Sequence, residues 1–473
     1  MNFGNFALHE NNENPLYLQL ADRLRYAIIR GEVINGERLP SIRRLSYSLK
    51  VNPATVVSAY RILEQEGWVR SRPGSGVYAR HKKSFTNSSS NEADITGSLT
   101  YYHTEDNPYI DLAAGTPSPK LFPVDQFKKH LNEVLDRDAG WAFDYQNSAG
   151  WEPFRHTLSE YVKDMLQIST DPSSMWVISG AQQGIDLSAK ALLHPGDRVI
   201  LEAPTYRGAL GAFWSRGADT IAVELHQYGM DMDILEERLA ETRPRLLYIQ
   251  SRFQTPTSYS WGKDQLYRLL ELAEKYDLYI LEDDLLSDLY FDTPPEPLNL
   301  KSIDRSNRVI YVRGFSKVLL PGLRLGLLII PKALQSLFEQ AKQSSDIATD
   351  GFLQRAVDLY LKRNHHKTRM EELRQHYGYC YGSMIKAVTQ HLGPLGCNLY
   401  PCNGGLHLWI SLPGGVKSAD LYTKALKGGV KIMPGEVFQD TSHIRLSFAC
   451  IEADQIEEGI SKLALSLKNI LYF

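Results

Sequence analysis

Cysteine is scarce in this chain. Its four residues, Cys380, Cys397, Cys402 and Cys450, all fall in the last fifth of 473 positions. None stands in a Cys-x-x-Cys pair or repeats at metal-ligand spacing, so neither a disulfide framework nor a metal site is expected. They read as reduced, mostly buried thiols of a cytosolic protein. No apolar run is long enough to cross a bilayer, and the polar start Met1-Asn2-Phe3-Gly4-Asn5 shows no secretory leader. Charge of one sign is lacking too: the whole chain stands at −3. With 43 % hydrophobic and 23 % charged residues, the composition is that of a soluble globular protein. A chain this long exceeds one ordinary core, and two or three domains are expected.

The charge that is present is uneven. Residues 1–80 stand at +4, which leaves −7 for the remainder. A basic head on an acidic body fits a head that meets phosphate. In that head Asn14-Pro15 opens a helix in which Leu20, Leu24, Ala27 and Ile28 recur at helical spacing up to Gly31. A second short helix starts at Ser41 and buries Leu45 and Leu49. A third starts at Asn52-Pro53 and buries Val56, Tyr60 and Leu63, with Thr55, Ser58 and Arg61 on its other face. Two short strands, Trp68-Val69-Arg70 and Val77-Tyr78-Ala79, flank a Gly-rich turn. Three helices and such a hairpin make a winged helix-turn-helix.

The third helix is short enough for the major groove, where Thr55, Ser58 and Arg61 can reach base edges. Arg38, Ser41, Arg43, Arg44 and Arg72 surround it as backbone contacts, which set register more than sequence choice. Gly74 and Gly76 let the wing approach the minor groove closely. The stretches ERLPSIRRLS, NPATVVSAYRILEQEGWV and RPGSGVYA resemble the DNA-binding module of GntR-type transcription regulators over nearly all of residues 14–80. That resemblance implies a double-stranded DNA operator as partner.

Residues 81–108 are rich in Ser, Asn and Thr without apolar periodicity, as in a flexible linker. From 109 onward, apolar runs alternate with amphipathic helices. Strands are expected at Met175–Ile178, Val199–Glu202, Leu246–Gln250, Leu278–Glu282, Val309–Val312 and Leu325–Ile330, with helices such as Gln182–Leu193 and Asp264–Tyr276 between them. This predicts an α/β body with a mainly parallel sheet and ligands at strand ends. A smaller α+β unit is expected at about 370–473.

Candidate chemistry gathers at those strand ends. Ser179-Gly180-Ala181-Gln182 opens a helix whose N–H groups can hold a phosphate. Tyr206 can stack on an aromatic ring. Asp283, ending its strand, can keep a pyridine nitrogen protonated. Lys317, in Gly314-Phe315-Ser316-Lys317, can form a Schiff base with an aldehyde cofactor, and Arg324 can hold that cofactor's phosphate. Arg445 can clamp a ligand carboxylate.

The motifs IDLAAGTPSPKLFP, SGAQQGIDL, EAPTYRG, EDD, GFSKVLLPGLRLG and HIRLSFA resemble the fold-type I aminotransferases, over essentially all of residues 109–473. The resemblance implies pyridoxal 5'-phosphate, with Lys317 as Schiff-base lysine and Asp283 as pyridinium partner. It further implies Tyr206 as the stacking ring, Ser179, Ala181, Gln182, Ser316 and Arg324 as the phosphate cup, and Arg445 as the carboxylate arginine. Tyr145 sits where the family sends a tyrosine into the neighbouring subunit's phosphate site, which implies a homodimer, head-to-tail. A GntR-type head on such a body resembles the MocR subfamily of regulators, implying a small amino-compound effector or the cofactor itself as signal. An active aminotransferase carrying a DNA-binding head is the alternative.

Three positions depart from the family pattern. Leu285 stands where a tyrosine commonly bonds the cofactor's phenolic oxygen. Thr255 stands for an asparagine that often bonds the same oxygen, and Gly314 for a Ser or Thr near the phosphate. Cofactor binding with weakened transamination is therefore expected.

Overall fold

The computed structural model describes residues 15–29, 33, 37–65, 68–72, 76–79, 108–226, 229–400 and 402–472. The chain divides into two compact units, Met1–Thr100 and Tyr101–Phe473.

In the first unit α1 (Leu16–Ile29), α2 (Ile42–Leu49) and α3 (Pro53–Gln65) precede an antiparallel hairpin of β1 (Val69–Arg72) and β2 (Gly76–Ala79). The periodic apolar residues close one core: Leu20, Leu24, Leu45, Val56, Ala59 and Leu63 are all fully buried. Ser41 caps α2 by accepting from the Arg44 N–H, and Asn52 accepts from the Ala54 N–H at the start of α3. Tyr60 bonds the Pro40 carbonyl at 2.7 Å and so ties α3 to the segment entering α2. The expected positions Gly31 and Gly74, the linker 81–107 and the side chains of Ile28 and Arg72 lie outside the described residues.

The body opens with β3 (Ile110–Asp111), α4 (Val124–Asp138) and α5 (Glu152–Leu166). A doubly wound stretch follows: β4 (Met175–Ile178), α6 (Ala181–Leu192), β5 (Arg198–Ala203), α7 (Arg207–Ser215), β6 (Asp219–His226), β7 (Gly229–Met230), α8 (Met232–Thr242), β8 (Leu246–Ile249), α9 (Lys263–Lys275), β9 (Tyr279–Asp283), β10 (Val309–Gly314) and β11 (Gly326–Ile329). These strands form one sheet in the order β4-β11-β10-β9-β8-β5-β6-β7. The run β10-β9-β8-β5-β6 is parallel, and β4, β11 and β7 join antiparallel.

All six expected strands are present, within a residue or two at each end. The reading missed β6, because its Asp-Thr-Ile-Ala-Val-Glu-Leu-His pattern is that of a half-exposed strand near the sheet edge. The core strands β4, β8 and β10 are buried at every position, as a sheet covered on both faces requires. On β5 alternation sorts the side chains: Val199 and Leu201 face α6 and α7, while Ile200 faces α8 and α9. Each such buried aliphatic stabilises the fold by about 1.5–3 kcal/mol relative to exposure.

Next come α10 (Gln335–Gln343), α11 (Gly351–Lys362) and the long α12 (His365–His391). The smaller sheet has the order β12-β13-β16-β15, from β12 (Asn398–Leu399), β13 (His407–Ser411), β15 (Met433–Pro434) and β16 (His443–Ser447). Around it lie α13 (Ser418–Lys427), β14 (Val430–Lys431) and α14 (Ala453–Leu471). This unit is not contiguous in sequence as expected: β14 pairs in parallel with β3, more than 300 residues upstream. Cys380 and Cys397 are buried, whereas Cys402 and Cys450 are only half-buried; all four are free. No helix among the described residues is long and apolar enough to cross a membrane.

Candidate functional site

The strand register brings the central chemistry together. Asp283 is the last residue of β9 and lies opposite Val312 of β10, and five residues further on stands Lys317. Asp283 is buried beside Asp284, so the pair is not a solvated loop. Its Oδ2 accepts from the Tyr248 hydroxyl at 2.8 Å and from Gln250 Nε2 at 3.0 Å. Its Oδ1 is buried without a hydrogen-bond partner among the described residues. Burial pushes its pKa up to about 6, opposed by those two hydrogen bonds. An orphaned buried carboxylate oxygen is costly unless a donor meets it, and a cationic N–H of a heteroaromatic ring meets that need.

Two carbonyls of one segment hold the two cations. Asp111 Oδ1 accepts from the Ala113 and Ala114 N–H groups and sets the turn. The Ala113 carbonyl then accepts from Arg445 Nη2 at 2.8 Å, and the Gly115 carbonyl from Lys317 Nζ at 2.6 Å. Burial first, then the charges of Arg445 and Arg324, lower the Lys317 pKa to about 8. His407, buried on the sheet that carries Arg445, is pushed down to about 3 by burial and by Arg445, so it stays neutral.

At the phosphate-cup sequence, Gly180 takes a positive φ of 85° between β4 and α6. A Cβ there would lie 2.7 Å from Arg324 Nη2, so only glycine lets that guanidinium close on the turn. Arg324 Nη2 reaches the Ser179 carbonyl at 3.3 Å. Ala181 and Gln182 form the first turn of α6, where N–H groups point outward. Tyr206, preceding α7, donates its hydroxyl to Gln182 Oε1 at 3.1 Å. Ser316 is half-buried beside Lys317. Gly314 packs against Ala181, whose N would lie 3.3 Å from an added Cβ, so the usual Ser or Thr would crowd this turn.

Behind the cup stands a group the sequence did not suggest. Asp346 accepts from Gln183 Nε2 (2.7 Å) and Ser179 Oγ (3.3 Å) on one oxygen, and from the buried Lys342 on the other (2.6 Å). No local motif announces a partner 167 residues away. Thr255 is buried, and its N–H donates to Gln250 Oε1, the same amide that holds Asp283. Tyr145 is not brought to this site within one chain; it is 87 % exposed, as are Trp141 and Phe143 for the most part.

On the head, Arg38, Ser41, Arg43, Arg44 and Arg61 are exposed, while Thr55 and Ser58 are only half-exposed. The open face of α3 runs instead through Ala54, Val57 and Arg61, at i, i+3 and i+7. Gly76 has φ 119°, and a Cβ there would strike Arg38 Nε at 2.9 Å, so the wing closes on this arginine.

These residues fit pyridoxal phosphate. Asp283 Oδ1 offers an acceptor to the ring nitrogen, the α6 N-terminus with Arg324 offers donors to phosphate, and Lys317 offers an amine of lowered basicity.

Comparison with known proteins agrees on both halves. Residues 107–463 match the aminotransferase class I and II family, and residues 16–79 match the gntR family of bacterial regulatory proteins. The uncharacterised HTH-type transcriptional regulator YdfD of Bacillus subtilis is 28 % identical, over 96 % of this chain and 97 % of its own. The probable rhizopine catabolism regulatory protein MocR of Rhizobium meliloti is 25 % identical, over 96 % and 94 %. Among solved structures, the kynurenine aminotransferase of Pyrococcus horikoshii superposes with a TM-score of 0.76 at 32 % identity, covering 83 % of this chain and 97 % of that one. The chain therefore belongs to the aminotransferase class I and II family through its body and to the GntR family through its head, a fusion that makes it a MocR-type transcriptional regulator.

Proposed function

We propose that this regulator binds operator DNA through its head and senses an amino compound at the Lys317 site of a head-to-tail homodimer. The observation that carries the reading is Asp283 Oδ1, a buried carboxylate oxygen with no hydrogen-bond partner among the described residues. When bound, pyridoxal phosphate supplies an aldehyde that captures an amine and a ring that draws electrons. Asp283 holds the ring nitrogen's proton, and Tyr248 and Gln250 fix that carboxylate. The α6 N-terminus, Ser316 and Arg324 anchor the phosphate, and Tyr206 covers the ring. Lys317 would offer that aldehyde an amine of lowered basicity, substantially neutral near pH 8. Arg445 grips the effector's carboxylate. Tyr145, exposed in the single chain, reaches the partner subunit's phosphate site.

An effector shifts the DNA-competent population only by binding two body conformations unequally. Absorbance spectra recorded while amino acids and amines are added test this. A band that changes with one compound and then stalls identifies a sensor and its signal. Complete conversion to the cofactor's amine form instead supports a working aminotransferase, and no cofactor band even after addition removes the reading.

Two further outcomes follow from the residues. Leu285→Tyr restores a donor to the phenolic oxygen and stabilises its negative charge. The pH at which the cofactor band titrates then falls by about one unit; an unchanged titration defeats this account of the departures. On the head, Arg44→Ala removes one exposed phosphate contact while leaving the Ser41 cap, which uses backbone, intact. Affinity should fall about equally for all DNA sequences, and the salt slope should drop by about 1. Fluorescence anisotropy at two salt concentrations reads both.

A further inference from the structure

A cleft of about 1040 Å³ has a lining that includes neither Lys317 nor Asp283. One wall is the edge of the main sheet, where Ala222, Glu224 and His226 fall at alternate positions of β6 and so share a face. The opposite wall is aromatic. His443 stacks on Trp409 at 5.1 Å with an interplanar angle of 2°, and Tyr400 stacks on His443 at 6.4 Å. Phe438 meets Trp409 edge-on at 5.8 Å.

The carboxylates of the lining differ. Glu202 is fully buried, accepts from Trp261 Nε1 and the Gln250 N–H, and is pushed up to about 7 by burial, whereas Glu224 and Asp440 stand with two histidines and, among the described residues, no lysine or arginine. Asp440 is engaged by His443 at 2.8 Å, whereas among the described residues Glu224 pairs only with His226, at 3.8 Å, and its side chain is 82 % exposed. Aromatic faces beside unneutralised carboxylate attract a cation that carries an apolar body.

We propose that this cleft is a second ligand site, separate from the cofactor site, that takes an organic ammonium ion by stacking against Tyr400, the outer ring of the Trp409–His443–Tyr400 stack, and pairing with Glu224. The two sites share one face of the small sheet, because Trp409 and Arg445 are cross-strand partners in β13 and β16. Phe438 touches both, edge-on to Trp409 and 5.4 Å beneath the Arg445 guanidinium. Occupancy of the cleft therefore bears directly on the residue placed to grip a carboxylate.

The test uses benzyltrimethylammonium, a quaternary cation that cannot condense with an aldehyde, titrated calorimetrically into the full chain. Saturable one-to-one binding is expected, with the same affinity in Lys317→Ala, while benzoate, of similar shape and opposite charge, does not bind. Glu224→Gln and Tyr400→Leu, neither at a fully buried position, should each weaken binding about tenfold. Absence of saturable binding, equal binding of benzoate, indifference to both variants, or loss of binding in Lys317→Ala would each overturn the proposal. The Lys317→Ala arm reads this cleft without the covalent cofactor, so failure of the sensing mechanism and failure of the second site are told apart.

Discussion

Lys317→Ala yields a protein that loses the absorbance band of the lysine-bound cofactor entirely, while its head retains DNA affinity. Nothing else in the described cofactor site supplies an amine held as this one is, 2.6 Å from the Gly115 carbonyl. The wild-type protein carries the accompanying pH signature. Covalent capture requires the neutral amine, and an ordinary lysine at about 10.4 would leave capture rising through the whole accessible pH range. Here burial, with Arg445 and Arg324 nearby, brings the pKa down to about 8. The rate of cofactor capture should rise about tenfold per unit below pH 8 and level off above it. Stopped-flow mixing with pyridoxal phosphate measures this. A rate still climbing steeply above pH 9 would show that the amine is not depressed. The linkage to stability has a definite sign: the folded pKa lies below the unfolded one, so burying this lysine costs stability at low pH. The cost is relieved as pH rises from about 8 towards the unfolded value.

Arg313→Ala should destabilise the body by about 3–5 kcal/mol, the range for breaking a buried ion pair by removing one partner. Arg313 is fully buried on β10. Its Nη2 lies 2.6 Å from Asp288 and its Nη1 3.4 Å from Asp284, both also buried. Asp284 further accepts from the Tyr311 and Ser287 hydroxyls, so its remaining partners persist in the variant. Asp288 loses its closest one. Equilibrium urea unfolding of the variant reads the loss directly. Combining Arg313→Met with Asp288→Asn removes charge from both sides and should recover part of the stability, since a matched apolar or neutral pair need not be worse than the ion pair. A single variant as stable as wild type would mean that the two carboxylates are relieved by protonation or water. Because Asp284 directly follows Asp283, the same variant also loosens the carboxylate proposed to meet the cofactor ring.

Much of the body was legible because its signals are local. Strands such as Val309–Gly314 are short apolar runs bounded by turn residues, and α6 begins directly after Ser179-Gly180. The β6 strand, next to last in the sheet, was not read, since its half-exposed face breaks the continuous apolar run by which the buried strands were found, leaving only the alternation of Ile221, Val223 and Leu225 with Thr220, Ala222 and Glu224. On α3 the helical period was read correctly, but the fully open face is rotated from Thr55 and Ser58 towards Ala54 and Val57. Periodicity locates a helix's buried stripe well and its accessible margin poorly, because the margin depends on what neighbouring elements cover. Asp283 could be singled out from its place at a strand end. Tyr248 and Gln250, which hold it, could not, because they lie one strand over in the sheet order.

The amino-acid sequence by itself determined that two modules share this chain, where the head helices and the buried strands of the main sheet lie, and which residues stand at their ends. Those properties depend on a few neighbouring residues: caps, turns and the spacing of apolar side chains. Only the tertiary structure decided what those residues meet. It set Ala113 and Gly115 against Arg445 and Lys317, 332 and 202 residues away, and Asp346 behind Ser179 across 167. It also tied β3 to β14 across the body and opened the aromatic cleft beside β6. Crossover connections and the register between strands bring such pairs together. No local pattern encodes them, because each partner's own neighbourhood is satisfied without reference to the other.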